Sequence, residues 1–454
     1  MSLQRIMPKA PITCDIHNPF MEEHIGYERE EALQEANRCL QCRHEPCVKG
    51  CIANLPIPQF IKAIQEDRLE DAMALIESRG NLSRICGRVC FYEKQCEGSC
   101  VRGIRGEAVA IGWLERYVSD KQRSLTWLDV SKTNKEIAIV GSGPSGLACA
   151  KDLAKLGHSV TIFEANALGG GVLRYGIPYY RLPERVVEEE IQSVIHHGVV
   201  IRYNIEVGKD ISMEALLEQY DAVYIATGVG TSHKLGIEKE DLPQVISANE
   251  FLKYLHDDSS HARADIENLI RGRRVRVIGG GKVAMDAARS AIRLKAKNVK
   301  ILYRRSMEEL PARPEEIHEA MIEGVKILTL LTPLRIVGNE EGVTHIICQQ
   351  NELTDTVEEG RKTIIGTNQK VKLKADLIIT AIGGAGATWL IGNSQQIDVT
   401  RQGYINVGLK QNTNHEKVFA GGDVVSGALT VVHAMKAGRQ AAQAIHAYVS
   451  KEGE

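Results

Sequence analysis

The stretch EIAIVGSGPSGLACAKDLAKLGHSVTIFEA, residues 136 to 165, decides the fold class of this chain. It opens with the apolar run Ile137 to Val140, passes through a glycine-rich turn into a segment of helical periodicity, and closes on a second apolar run. A strand, a helix and a second strand in this order form the βαβ unit of open, mostly parallel sheets. The stretch therefore predicts an α/β fold.

The glycine turn has the G-x-G-x-x-G spacing of a dinucleotide site, with Gly141, Gly143 and Gly146 at the three glycine positions. The first glycine permits a tight turn, the second lets the backbone approach a pyrophosphate, and the third lets the helix pack on the strand. Glu164 closes the second strand, where a carboxylate accepts hydrogen bonds from ribose hydroxyls and would repel a 2′-phosphate. The unit predicts FAD or NAD rather than NADP, unless the glycines serve packing alone.

The same order of elements recurs in RRVRVIGGGKVAMDAARSAIRLKAKNVKILYRRS, residues 273 to 306. Its nucleotide loop would comprise Gly279, Gly280, Gly281, Lys282 and Val283. Arg304 and Arg305 stand at the strand end where the first unit has Glu164, and two guanidinium groups there would bind a 2′-phosphate. This predicts NADP(H), against the alternative of solvated surface charges, and Arg313 is a weaker candidate for the same phosphate.

Two nucleotide sites of opposite charge in one chain suggest a bound flavin that accepts hydride from a diffusing NADPH. The segment FAGGDVVSG, residues 419 to 427, supports this interpretation. Asp423 follows a glycine pair at the start of a helix, as in flavoproteins that hold the ribityl and pyrophosphate part of FAD between two segments. The hydride would pass between cofactors, so no side chain is predicted to react covalently.

Eight of the eleven cysteines lie between residues 39 and 100. They form two runs of four, namely Cys39, Cys42, Cys47 and Cys51, then Cys86, Cys90, Cys96 and Cys100. Dense cysteines in a reducing cytosol bind metal or do redox chemistry more often than they form disulfides. Iron–sulfur ferredoxins interleave ligands from two runs, and we predict the same here. Structural zinc is the main alternative, but zinc would leave a flavin no one-electron route onward.

A disulfide reductase of the thioredoxin reductase type, with an added zinc module, is the alternative of a different class. Such enzymes place a Cys-x-x-Cys pair in or near their nucleotide domains, but from residue 131 onward this chain has only Cys149 and Cys348. These two, like Cys14, are predicted to be ordinary thiols, because apolar burial is the commonest fate of a free cysteine.

Composition and charge describe a globular protein of several domains. The 454 residues are 43% hydrophobic and 25% charged, and a single core stops growing near ~250–300 residues. A net charge of −2 without a basic tail lacks the electrostatic signature of nucleic-acid binding. No stretch approaches the ~20 apolar residues of a membrane-spanning helix, and no signal peptide is recognised, so we expect a cytoplasmic protein. The 34 residues between the two cysteine runs, with amphipathic spacing in residues 56 to 80, are predicted to form two short helices.

The order of these motifs along nearly the whole chain resembles the glutamate synthase small-subunit family. The matching elements are the two cysteine runs followed by GSGPSGL, YGIPYYRLP, ATG, GGGKVAMDAAR, YRRS and GGDVVSGA. The pattern is also similar to the large subunit of NADH-dependent ferredoxin:NADP oxidoreductase and to the N-terminal half of dihydropyrimidine dehydrogenase. The resemblance implies one FAD, one NADP(H) site and two 4Fe-4S clusters in a helical N-terminal domain.

The resemblance also implies a division of the cysteines between the clusters. The ligands of one cluster would be Cys39, Cys42, Cys47 and Cys100. The ligands of the other would be Cys51, Cys90, Cys96 and Glu115. Cys86 would then be a spare cysteine, and without the family Glu115 would be interpreted as an exposed helix carboxylate.

The flavin contacts implied by the resemblance fall in four segments of the chain. They are Gly141, Gly143, Pro144, Ser145, Gly146, Glu164, Gly170, Gly171, Arg181, Gly422, Asp423, Thr430, Val431 and Val432. The sequence departs from the family where proline usually follows a cluster cysteine, since Ile52 and Phe91 stand there. It departs again where AIGG, residues 381 to 384, replaces the more frequent AIGQ. These departures affect local loop geometry and cluster potential rather than the ligand set.

The predicted architecture is a helical iron–sulfur domain followed by two Rossmann-like domains, with the NADP domain inserted in the FAD domain. The expected boundaries are 1–130 for the cluster domain, 131–245 with 365–454 for FAD, and 246–364 for NADP(H). Hydride would pass from NADPH to FAD, and single electrons would pass through the clusters to a partner protein. The glutamate synthase large subunit is the favoured partner, with a ferredoxin-linked transhydrogenase or a pyrimidine-reducing complex as alternatives.

Overall fold

The structure is a computed structural model of the chain, and it describes residues 4–8, 21–122, 130–256, 260–358, 361–386 and 397–451. Cys14 lies outside these ranges. In the part of the chain that the structure describes, no helix is both long enough and apolar enough to cross a membrane.

The N-terminal domain is helical. Its α-helices are α1 Arg29–Ala36, α2 Pro46–Gly50, α3 Ile57–Gln65, α4 Leu69–Glu77, α5 Ser83–Val89 and α6 Ile111–Lys121. Two short 3₁₀ helices cover Tyr92–Lys94 and Val101–Ile104. Helices α3 and α4 are the two predicted between the cysteine runs, and their apolar stripe is buried as expected except at Leu69, which is partly exposed.

The first nucleotide unit follows. Its elements are β1 Glu136–Val140, α7 Pro144–Lys155, β2 Ser159–Phe163, α8 Val172–Tyr175, α9 Glu184–His196, β3 Val200–Arg202, α10 Met213–Gln219, β4 Ala222–Ile225 and β5 Val229–Ser232. Helix α7 begins at a proline, whose missing N–H and fixed φ suit the first turn of a helix.

The second nucleotide unit lies between the two parts of the first. Its elements are β6 Val245–Ser247, α11 Ala248–Leu255, α12 Ser260–Ile270, β7 Arg274–Ile278, α13 Lys282–Arg293, β8 Asn298–Leu302, α14 Pro314–Ile322, β9 Lys326–Leu328, β10 Leu331–Asn339, β11 Gly342–Glu358, β12 Arg361–Lys374 and β13 Leu377–Thr380. The chain then returns to the first unit through β14 Gly384–Gly386, β15 Val418–Ala420, α15 Asp423–Ser426 and α16 Val431–Lys451.

Each nucleotide unit is built on a five-stranded parallel sheet. The first has the order β15-β4-β1-β2-β3 and the second the order β6-β13-β7-β8-β9. A separate antiparallel sheet, β10-β11-β12, is inserted between the strands of the second unit, and β5 pairs with β14 where the chain crosses between units. The predicted α/β fold with one nucleotide unit inserted in another is confirmed.

The predicted boundary at residues 364 and 365 is wrong. Strand β13 pairs in parallel with β7 and β6, so the second unit extends to Thr380. The strand is separated from β9 by the whole antiparallel sheet, and a central parallel strand needs no neighbour in sequence. The βαβ spacing that identified the unit therefore said nothing about its last strand.

The helical domain and the first nucleotide unit share one hydrophobic core. A continuous cluster of buried apolar side chains includes Phe60 and Leu114 of the helical domain together with Leu147 and Ile445 of α7 and α16. The Asn81 side chain adds a hydrogen bond of 2.9 Å to the carbonyl of Ala148 across this boundary. The cysteine-bearing domain is therefore part of the same packed body as the first sheet.

Candidate cofactor sites

The first glycine loop joins β1 to α7, and its glycines differ in what surrounds them. Gly141 has φ +100°, and a Cβ added there would lie 2.7 Å from the carbonyl oxygen of Ala226. A Cβ on Gly146 would lie 2.0 Å from the carbonyl oxygen of Gly141. Gly143, in contrast, would place a Cβ in open space. Packing within the protein therefore requires glycine at positions 141 and 146. At position 143 only the close approach of a ligand would require it.

Glu164, directly after β2, is buried and rigidly held. Its carboxylate accepts hydrogen bonds from the Ser142 amide at 3.1 Å and hydroxyl, and from the Asn166 amide at 2.8 Å and side chain at 2.7 Å. A carboxylate has about four lone-pair sites, so these donors saturate it. A ribose hydroxyl would have to share an oxygen with Ser142 or Asn166.

The segment at Gly170 and Gly171 lies against the first glycine loop. Both residues have positive φ, +113° and +54°, and a Cβ on Gly171 would lie 2.9 Å from the Cα of Gly143. The Gly170 amide donates a hydrogen bond of 3.0 Å to the Ser142 hydroxyl. Glycine at position 171 therefore keeps the surface above Gly143 open, whereas glycine at position 170 avoids the Val187 side chain.

The loop between β15 and α15 also reaches the start of α7. Gly422 has φ +77°, and a Cβ there would lie 2.9 Å from the Cβ of Ser145. Asp423 begins α15, and burial raises the pKa of its carboxyl to about 6, with the Leu429 amide opposing the shift through a 3.3 Å hydrogen bond. The remaining predicted flavin positions follow at the start of α16, namely Thr430, Val431 and Val432.

The second glycine loop repeats this geometry between β7 and α13. Gly279 has φ +137°, and a Cβ there would lie 2.3 Å from the carbonyl oxygen of Ala381. Gly281 has open space where its Cβ would be, as Gly143 does. Val283 is partly exposed on the first turn, and Ala284 is fully buried at the third position. The two loops thus present equivalent surfaces at equivalent ends of the two sheets.

The two predicted phosphate-binding arginines differ in their surroundings. Arg304 is exposed just beyond β8. Arg305 donates to the carbonyl of Lys362 and pairs with Glu309 at 3.4 Å, so its guanidinium is held by the protein. Arg304 is therefore the better placed of the two for a phosphate.

Arg313 and Arg181 are both paired with carboxylates from other parts of the chain. Arg313 is buried, donates to Glu93 of the helical domain at 2.6 Å, and is not available to a 2′-phosphate. Arg181 donates to both carboxylate oxygens of Asp286 at 2.7 Å and to Glu316 at 2.6 Å, and its flavin contact stays a prediction. Both arginines join separate parts of the chain.

The first group of predicted cluster ligands converges on one cavity. Its sulfur-bearing lining residues are Cys39, Cys42, Cys47 and Cys100. Its apolar lining includes Ile57, Pro58, Ile61, Val109 and Ile111. Burial raises the pKa of the Cys47 thiol to about 12 and also raises that of Cys39. Partly buried thiols at this density suit a metal, which binds them as thiolates and displaces their protons.

The second group is more deeply buried than the first. Cys51, Cys90, Cys96 and Glu115 are each less than a tenth exposed. Burial raises the pKa of Glu115 well above its ordinary range, and the thiol of Cys90 adds to the shift. A buried carboxyl beside thiols fits a metal ligand, since an ionised group in such a place requires a cation.

Cys86 belongs to this second group in space. Its thiol donates a hydrogen bond to Cys90, and burial also raises the pKa of Cys86 well above its ordinary range. The structure therefore brings together five candidate ligands where four were predicted.

Sequence reasoning missed a set of charged side chains where the three parts of the chain meet. Asp286, Arg289 and Arg293 recur at helical spacing along α13 and are all buried. Glu23, His24 and Glu319 converge with ligand atoms within 4.8 Å of one another, but the Arg289 guanidinium pairs with both glutamates. The signal was available, because charges at this spacing form one face of α13, opposite the face that carries its alanines.

Known proteins match both halves of the chain. Residues 15–127 match the family described as dihydropyrimidine dehydrogenase domain II, 4Fe-4S cluster, and residues 135–441 match the pyridine nucleotide-disulphide oxidoreductase family. Among solved structures, Mycobacterium tuberculosis FprA in complex with NADPH has a TM-score of 0.60 at 21% identity, covering 70% of this chain and 86% of that chain. At this sequence identity, the similarity to FprA shows a shared fold only.

Curated relatives extend over more of the chain. The NADP(+)-dependent formate dehydrogenase subunit beta of Moorella thermoacetica is 37% identical over 434 residues, which cover 89% of this chain and only 60% of that subunit. The glutamate synthase (NADPH) small chain of Escherichia coli strain K12 is 34% identical over 464 residues, covering 98% of this chain and 97% of that protein. The matches confirm the predicted class of enzyme, an oxidoreductase. The chain therefore belongs to the pyridine nucleotide-disulphide oxidoreductase family, in the group that contains the glutamate synthase small chain.

Proposed function

We propose that this protein takes electrons from NADPH and passes them to a partner protein through FAD and two 4Fe-4S clusters. When bound, the flavin would accept two electrons as hydride and the clusters would carry electrons singly. The observation that carries the proposal is the convergence of Cys39, Cys42, Cys47 and Cys100 on one cavity, in a chain that also has two open glycine loops.

The donor sets fit the proposed clusters in type and number. Four cysteines are a complete ligand set for one 4Fe-4S cluster. In the second group we propose Cys51, Cys90, Cys96 and Glu115 as ligands, and Cys86 as a hydrogen-bond donor to a ligand sulfur. Hydrogen bonds to cluster sulfurs are among the means by which a protein sets a reduction potential.

The residues of the two glycine loops would bind the two nucleotide cofactors and orient them. At each site the backbone N–H groups at the helix start, beside Gly143 or Gly281, would face a pyrophosphate. Glu164 would exclude a 2′-phosphate from the first site, whereas Arg304 would attract one to the second. We propose FAD for the first unit and NADP(H) for the second on this basis.

A glutamate synthase large subunit is the proposed partner, and cytoplasm the proposed location. The proposal is supported by the 34% sequence identity to the small chain of that enzyme, which extends over 97% of that small chain. A formate dehydrogenase complex is the second candidate, because the beta subunit of such an enzyme is 37% identical. Leu40 and Val101 line the first cysteine cavity and are exposed. The first cysteine group would therefore lie nearer to a docked partner protein than the second cysteine group.

Anaerobic purification and reconstitution would test the cofactors. We expect about eight irons per chain, from two four-iron clusters, together with flavin absorption that NADPH bleaches. Cys100→Ser should lose about half of this iron, while Cys86→Ser should retain both clusters. Zinc in place of iron, or about two irons per chain, would contradict the cluster assignment and favour a zinc-containing flavoprotein.

Charge removal at the strand end would test the nucleotide. Arg304→Gln should weaken NADPH binding by about tenfold or more, since a charge-assisted contact to the 2′-phosphate is lost, and should leave NADH almost unaffected. Rapid-mixing measurements of flavin reduction at varied NADPH and NADH concentrations would give both affinities. Glu308→Gln, which changes a nearby exposed charge, serves as the control.

A further inference from the structure

A stripe of charged residues runs along one face of α13. Lys282, Asp286, Arg289 and Arg293 are four, three and four positions apart, which places them on the same side of a helix. The last three are only 4%, 2% and 2% exposed. Because an isolated buried charge is very unfavourable, such a stripe persists only where other parts of the molecule supply its partners.

The middle of the stripe binds the first nucleotide unit. Asp286 accepts two hydrogen bonds of 2.7 Å from Arg181, which comes from the segment between α8 and α9. Arg181 also donates to Glu316 of α14 at 2.6 Å. The three side chains are at most 7% exposed, so water screens this link only weakly.

The C-terminal part of the stripe binds the helical domain. Arg289 and Arg293 both pair with Glu23, and both also pair with Glu323 of their own unit, at 2.7 and 2.6 Å. The two guanidinium groups lie over the ring of Tyr180, with the carbon of each 4.7 and 3.9 Å from the ring centroid. All three parts of the chain therefore meet at this point on α13.

The N-terminal end of the stripe meets the second cysteine run. The Lys282 ammonium lies 4.8 Å from the centroid of Phe91, and Arg313 pairs with Glu93 at 2.6 Å and lies 4.6 Å from the ring of Tyr92. These three partners stand between Cys90 and Cys96 in sequence. One short loop of the helical domain thus contacts the helix that follows the second glycine loop.

We propose that this charged stripe fixes the second nucleotide unit in one orientation relative to the first, and that Arg181 and Asp286 are positioning residues for hydride transfer. The inference rests on the proposed function. Hydride transfer needs its two reacting atoms about 3–3.5 Å apart, and small misplacements are costly. A rotation of the second unit would break the pairs of the stripe to Arg181 and Glu23 together, so the stripe opposes it, and the neighbouring pair of Arg313 with Glu93 adds to this.

The test compares Asp286→Asn with Asp376→Asn in the full-length, cofactor-loaded protein. Asp376 is the matched control, because it also pairs with an arginine, Arg274, but within the second unit alone. Asp286→Asn should leave FAD content, iron content and NADP⁺ affinity within about twofold, while the limiting rate of flavin reduction falls about tenfold or more. Asp286→Glu, which retains the charge, should restore part of that rate.

Hydrogen–deuterium exchange gives a readout independent of turnover. Amides of α13 and of residues 21–27 should exchange faster in Asp286→Asn and not in Asp376→Asn. If Asp286→Asn does not fold, Glu23→Gln, which removes the pairs of Arg289 and Arg293 to the helical domain, should produce the same faster exchange.

Unchanged exchange and an unchanged limiting rate in Asp286→Asn would overturn the proposal. So would a large loss of NADP⁺ affinity with the limiting rate retained, since the stripe would then serve binding and not orientation. A wild-type protein that NADPH does not reduce would refute the proposed function instead, and the exchange comparison would still decide whether the stripe holds the units together.

Discussion

Asp423 has a partly buried carboxyl group whose surroundings favour the protonated form. Burial is the main cause of its raised pKa, and the Leu429 amide supplies one opposing hydrogen bond. Glu164 differs in its hydrogen bonding, because four donors from two neighbours meet its carboxylate. Of the two acids predicted to face a flavin, Asp423 therefore has the unused capacity to accept hydrogen bonds from a bound hydroxyl.

Replacing Asp423 with asparagine should stabilise the flavin-free protein, and more at high pH than at low pH. The carboxyl titrates near 3.8 when unfolded and near 6 when folded, so the folded state loses stability as pH rises between these values. The resulting gain in the free energy of unfolding of the Asn variant is at most roughly 3 kcal/mol at pH 8 and about half of that at pH 5. Thermal unfolding of flavin-depleted protein at both pH values would measure it. An equal gain at pH 5 and pH 8 would contradict the assignment.

The two loop–helix elements share one design at the level of the backbone. In each, the first glycine has positive φ and lies against a carbonyl of the neighbouring strand end, at Ala226 or Ala381. In each, the second glycine borders open space. The third position differs, since Gly146 has no room for a methyl group whereas the second helix accommodates Ala284. Packing therefore constrains the first helix more tightly than the second.

Alanine substitutions should separate ligand approach from packing in the first element. Gly143→Ala should leave thermal stability unchanged without flavin, because its methyl meets no atom within 4 Å, but should weaken FAD binding by about tenfold or more. Gly146→Ala should destabilise the protein by about 1–3 kcal/mol with or without FAD, through its clash with the Gly141 carbonyl. Flavin content and thermal unfolding of both variants would check this. Normal FAD binding by Gly143→Ala would rule out this loop as the pyrophosphate site.

At the scale of the whole molecule, the helical domain is joined to the two nucleotide units by different forces. Its apolar side chains continue into the core of the first unit, whereas ion pairs from Glu23 and Glu93 connect it to the second. Hydrophobic burial supplies most of the stability of such an arrangement. The buried ion pairs add orientation, because their geometry tolerates little displacement.

A fragment that starts at residue 130 should therefore fold poorly. It would expose the apolar surfaces of α7 and α16 that the helical domain covers, and it would leave Arg313 without Glu93. We expect aggregation, or a lower unfolding temperature and less bound FAD than in the full chain, measured by size-exclusion chromatography and thermal unfolding. The full-length double variant Glu23→Gln, Glu93→Gln separates the loss of ion pairs from the loss of core. A fragment as stable as the full chain would refute the shared core.

The sequence by itself determined the fold class, the two glycine loops and the location of the cysteine-rich domain. Each depends on local requirements, such as positive φ at Gly141 and Gly279, that neighbours in the chain reveal. The division of the cysteines between two clusters, with Cys86 as a spare, is implied by the family resemblance and stays a prediction.

Only the tertiary structure decided the partners of long charged side chains and the last strand of the second sheet. Arg181 and Arg313, both predicted to contact cofactors, also join parts of the chain, because they pair with Asp286 and Glu93, which are distant in sequence. Strand β13 returns to the second sheet after a long insertion, so spacing could not reveal it. Local backbone geometry is encoded by adjacent residues, whereas the pairing of a flexible charge depends on which surfaces the fold brings together.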